Sequence, residues 1–100
     1  MNNTVKYHQL QDNVFELTSD EVSMLKDLVS SDDKKSFNKA NSIRLYVSSG
    51  TINIRVDGGT PTADDEQLEE GQHFIENGDL NKMSVYASTD SKISIQIGSM

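Results

Sequence analysis

Between residues 43 and 56 the chain alternates twice at period two. Ile43, Leu45 and Val47 interleave with Arg44, Tyr46 and Ser48; Ile52, Ile54 and Val56 interleave with Asn53, Arg55 and Asp57. Side chains of a strand point alternately to its two faces, so each run predicts a strand with one buried and one wet face. The short break at Ser48-Ser49-Gly50 predicts a β-hairpin between them. The pattern returns in Met83, Val85 and Ala87 against Ser84 and Tyr86, and in Ile93, Ile95 and Ile97 against Ser94 and Gln96. A shorter strand is expected at His73-Phe-Ile-Glu, stopped by Asn77-Gly78-Asp79. No stretch alternates helix with strand, which sets aside a parallel α/β sheet.

The N-terminal part reads differently. Residues 4–9 and 13–17 are two β-like stretches around Gln11-Asp12-Asn13, predicting an N-terminal hairpin. Thr18 and Glu21 have capping-box spacing, with Leu17 and Val22 placed as a hydrophobic staple. Val22, Leu25, Leu28 and Val29 then recur at threes and fours, predicting one helix over about residues 19–30. Residues 30–42 read as a solvated loop anchored by Phe37. Residues 62–71 hold one large apolar residue, Leu68, and read as an excursion. The expected fold is an antiparallel β-sandwich or jelly-roll-like domain with about seven short strands and one inserted helix. It forms a single domain over residues 1–100, with hairpin, helix and loop in 1–42 and a β core in 43–98.

Hydrophobic residues make up 34% of the 100 positions, below the roughly 45–50% of an average domain that also counts glycine. One-sided strands explain how so few can still form a core. There is no cysteine, which removes disulfides, thiol catalysis and thiolate metal sites. No apolar run is long enough to span a membrane, and the first residues lack the apolar stretch of a signal peptide; the expectation is a chain made in the cytoplasm. The net charge of −7 speaks against nucleic-acid binding, which needs cations to neutralise phosphates.

Charge is also uneven. Residues 57–79 hold 8 of the 16 acids and no Lys or Arg, whereas residues 26–44 carry five bases against three acids. The acidic stretch has no EF-hand spacing and reads as a solvated loop. His8 and His73 stand apart in the sequence, with no nucleophile motif beside them and no set of metal ligands. Gly58-Gly59 lacks the third glycine and the lysine of a phosphate loop. No catalytic, cofactor or metal residue is therefore assigned.

The run Ile43-Arg-Leu-Tyr-Val-Ser-Ser-Gly-Thr-Ile-Asn-Ile-Arg-Val-Asp-Gly-Gly-Thr-Pro-Thr-Ala-Asp resembles small β-sandwich structural proteins of tailed bacteriophages. So do the Leu68, Gly71 and Gln72-His-Phe-Ile that follow, and the closing strands Met83-Ser-Val-Tyr-Ala-Ser and Lys92-Ile-Ser-Ile-Gln-Ile-Gly. The resemblance covers about residues 43–98. It implies a non-enzymatic head-decoration, head-fibre, neck or tail component, located in a virion assembled in the host cytoplasm. Its partners would be capsid, neck or tail proteins or further copies of itself, with neither nucleic acid nor membrane involved. The partner-contact residues expected on this reading are Val22, Leu25, Leu28, Lys34, Lys35, Tyr46, Asp64, Asp65 and Glu66. The helix stripe would either cover an open end of the sandwich or face a neighbour. The alternative is a carbohydrate- or receptor-binding module presenting Tyr46, Asp57, Asp64 and Asp65.

Overall fold

The computed structural model describes residues 5–76 and 78–99, with only the backbone of Asp12. Thr4 of the first β-like stretch and Asn77 of the Asn-Gly-Asp turn therefore lie outside the described residues. Eight strands run in chain order: β1 Lys6–Leu17, β2 Glu21–Met24, β3 Ser42–Ser49, β4 Ile52–Arg55, β5 Glu66–Leu68, β6 Gly71–Ile75, β7 Ser84–Ala87 and β8 Ser91–Ser99. They build two four-stranded antiparallel sheets, sheet A in the order β1-β8-β3-β6 and sheet B in the order β2-β7-β4-β5. The pairs β1–β8, β2–β7, β3–β6 and β4–β5 are those of one long ribbon folded back at β4–β5 and wrapped across both sheets. That is an eight-stranded jelly roll, within the fold class expected from the sequence.

The alternating residues supply the core. Ile43, Leu45, Val47, Ile93 and Ile95 of sheet A face Ile52, Val85 and Ala87 of sheet B, all buried. Most of their polar neighbours turn out to solvent, so a modest hydrophobic content fills the space between two sheets. Asn53 and Ser84, expected on a wet face, are instead buried and donate to the Asp65 carbonyl at 2.9 Å and the Gly59 carbonyl at 3.1 Å.

All four passages from one sheet to the other by short turns gather at one end. Leu17 pairs with Ser91, Ser49 with Lys92, and Val47 with Gly71, which brings the turns at residues 18–20, 50–51, 69–70 and 88–90 together. Gly50 has φ +82°, and a Cβ there would lie 2.9 Å from the Asp90 carbonyl oxygen. Only glycine meets both demands. The other end is covered by two short helices, α1 Leu25–Leu28 and α2 Lys34–Lys39, and a 3-10 turn at Leu80–Lys82. Leu25, Val29, Phe37 and Leu80 are buried there. The segment before α2 also reaches β1, where Asp33 accepts the Gln11 amide at 3.1 and 3.2 Å.

Several sequence expectations are corrected. The N-terminal hairpin is one strand, β1, carrying a large bulge. Five steps from Gln9 to Val14 face two from Gln96 to Ser94, so the turn-forming residues 11–13 kink a strand instead of reversing it. The helix over residues 19–30 shrinks to one turn, α1, preceded by strand β2. Asp20 takes φ +66° and Glu21 N–H donates to the Thr18 carbonyl at 3.2 Å. The spacing of a capping box is also that of a β-turn, and here pairing of β2 with β7 outweighs local helix preference.

The hairpin at residues 43–56 does not form either. β3 and β4 lie in different sheets and Gly50 turns the corner between them, while Val56, expected in the core, is 47% exposed beyond the end of β4. The eight strands agree with the expected count of about seven: two expected N-terminal strands merge into β1, while β2 and, inside the excursion at 62–71, β5 are added. The loop at 30–42 holds α2, with Phe37 as the buried anchor expected of it.

Candidate binding face

Two central strands floor the outer face of sheet A. Ser94 and Gln96 of β8 and Arg44 and Tyr46 of β3 point away from the core, because their neighbours Ile93, Ile95, Ile97, Ile43, Leu45 and Val47 point into it. The β1 bulge raises Asn13 along one margin, and Gln72 on edge strand β6 stands along the other. Together Asn13, Arg44, Tyr46, Gln72, Ser94 and Gln96 enclose a groove of about 410 Å³, within the roughly 300–1,000 Å³ range of small-molecule sites. Every one of these side chains can hydrogen-bond, and none is a carboxylate. Tyr46 contributes a ring that is 43% exposed.

The same face carries an aromatic bridge. Tyr7 of β1 and Phe74 of β6 meet edge to face with centroids 5.8 Å apart, and the Arg44 guanidinium lies 5.7 Å from the Tyr7 ring centroid, within cation–π reach. The Tyr7 hydroxyl and Gln96 Oε1 are buried without a hydrogen-bond partner; each such orphan costs about 1–3 kcal/mol. Burial pushes the Tyr7 hydroxyl above its ordinary pKa, Glu76 adds to the rise, and Arg44 opposes it.

Between edge strands β5 and β6 lies a second groove, of about 620 Å³, where Ile54, Leu68 and Ile75 come close to the surface beside Val56 and Phe74. Glu66 and Glu76 border it. Phe74 is 54% exposed. The opposite edge strand β1 is tied to the helical segment at Gln11 through Asp33 and leaves Val14 58% exposed.

The residues expected as partner contacts scatter. Leu25 is core, Leu28 half-buried, and Val22 exposed on β2, so the supposed helix stripe divides. Leu25 and Val29 cover the end of their own sandwich. Lys34 and Lys35 are exposed on α2. Asp64, Asp65 and Glu66 follow one another at and before β5, far in the topology from Tyr46 on sheet A. The set Tyr46, Asp57, Asp64 and Asp65 is not brought into one site.

Asp57 and Asp65 serve a local knot instead. Arg55 Nε donates to Asp57 at 2.8 Å and its guanidinium lies 3.7 Å from Asp65. Asp57 also accepts the Gly59 amide, and the Arg55 hydrogen bond with this amide holds its carboxyl down at about 2. Asp65 in turn accepts the Thr62 amide at 2.7 Å. Arg44, Ser94 and Gln96 were legible only as the polar half of their alternations, and Asn13 only as part of a turn; nothing in the local sequence marks Gln72. Among the described residues no group of three or more metal-ligating side chains converges, and no helix is long and apolar enough to cross a membrane. Comparison with protein families, curated proteins and solved structures finds none that matches the chain.

Proposed function

We propose that the chain is a non-enzymatic structural component of a tailed-bacteriophage virion, binding neighbouring capsid, neck or tail subunits by surface complementarity. The observation that carries this reading is the partly apolar groove on the β5–β6 side. One end is covered by the chain's own α1 and α2 and Asp33 holds β1 at Gln11, while the β5–β6 side leaves Val56 and Phe74 half-exposed above Ile54, Leu68 and Ile75. Large exposed apolar side chains beside an unpaired strand edge are a site for a protein neighbour. The fold supports the reading by analogy, since jelly rolls are used in viral capsid domains. The resemblance of residues 43–98 to phage structural proteins supports it from the sequence side.

The test is incorporation. Particles produced from the encoding genome with Val56→Glu and Phe74→Glu together should lack the chain, while the purified double variant keeps the strand-rich circular dichroism of the wild type. Normal occupancy of the variant in particles would overturn the proposal.

A further inference from the structure

We propose that the groove on the outer face of sheet A is a carbohydrate-binding site, a function additional to the subunit contacts of the β5–β6 side. A sugar ring offers hydroxyls that both donate and accept, and an apolar C–H face. The groove offers the matching set: the amides of Asn13, Gln72 and Gln96, the Ser94 hydroxyl, the Arg44 guanidinium, and the exposed Tyr46 ring as a platform.

Other ligand classes fit less well. A metal ion needs carboxylates that the lining lacks, and a phosphate chain needs more than the single cation Arg44. A peptide strand needs a free backbone edge, whereas the floor is made of β3 and β8, each paired on both sides. The β1 bulge has a purpose on this reading: its extra residues raise Asn13 as a wall that an unbroken strand would not provide.

The experiment is an NMR titration of the labelled full chain with soluble neutral oligosaccharides (cello-, malto-, xylo- and chito-series) and with uronate-containing oligosaccharides, each to about 10 mM. Saturable shifts confined to the Asn13, Gln72 and Gln96 side-chain amides and to the Arg44, Tyr46 and Ser94 backbone are expected with at least one series. A response to uronates alone assigns Arg44 to the carboxylate; a neutral series assigns it to hydroxyls. Tyr46→Ala and Gln96→Ala should each weaken binding about tenfold. Gln72→Ala provides a third variant should either fail to fold. Val56→Glu, on the subunit-contact side, should bind as the wild type does, so loss of particle incorporation and loss of sugar binding are separate results. No saturable shift with any series, shifts elsewhere on the surface, or unchanged affinity in folded Tyr46→Ala would overturn the proposal.

Discussion

Tyr7 and Phe74 touch edge to face at 5.8 Å although strands β8 and β3 separate their own strands in sheet A. The pairing register explains the reach. Tyr7 lies opposite Gly98 on β8, and Gly98 opposite Ser42 on β3. A glycine and a serine leave the surface low enough for one aromatic ring to lean across it. The contact thus clasps both edges of the sheet from outside, independently of the core beneath.

This clasp carries an unsatisfied hydroxyl. Tyr7→Phe keeps the ring and removes the buried, unpartnered oxygen, so it should raise stability by about 1 kcal/mol. Phe74→Ala should lower it, and a double-mutant cycle between the two positions should return a coupling of about 0.5–1.5 kcal/mol. Urea denaturation at neutral pH measures both.

The bulge in β1 is pinned by one carboxylate. Asp33 is buried and accepts from the Gln11 amide and from the Ser30 hydroxyl. Asp33→Ala leaves that amide without its acceptor and should cost about 1–3 kcal/mol. Amide hydrogen exchange at Gln11 should accelerate more than exchange at Ile95 in the middle of β8.

Gly50 governs the passage from sheet A to sheet B. Its φ of +82° and the nearness of the Asp90 carbonyl leave no space for a Cβ. Gly50→Ala should destabilise the fold by about 1–3 kcal/mol, with a lower thermal midpoint. Gly71→Ala provides the comparison: its φ is also positive, but nothing lies within 4 Å of an added Cβ, so the penalty there should be the smaller.

Asp57 is a source of acid sensitivity. Folding lowers the Asp57 carboxyl from an ordinary 3.8 to about 2, through the Arg55 hydrogen bond first and the Gly59 amide second. Its ionised form therefore favours the folded state, in full above the ordinary value and progressively less as pH falls from 3.8 towards 2. A carboxyl-detected NMR titration should place the Asp57 midpoint near 2, and Arg55→Gln should return it towards the ordinary range.

Strand parity was legible because it is written residue by residue. Ile93, Ile95 and Ile97 announce a buried face, and all three are buried. Which strands pair was not legible, because Ser48-Ser49-Gly50 serves a hairpin and a sheet-crossing corner equally; long-range partners decide between them. Thr18 and Glu21 illustrate the same degeneracy, since one three-residue spacing closes either a helix cap or a β-turn. The groove escaped notice for another reason. Asn13, Arg44, Gln72 and Gln96 come from four different strands, and only the register of sheet A and the β1 bulge assemble them. Phe74 and Val56 were read as ordinary strand residues because edge position is a property of topology, not of local sequence.

Quantitative mass spectrometry of virions, gradient-purified after a high-salt wash and produced from the encoding genome, tests the central claim most directly. The chain should be present at a fixed ratio to the major capsid or tail protein, with cross-links from Lys82 and other lysines to a second virion protein. Its absence from washed particles, with the chain recovered only from the soluble lysate, would contradict the account.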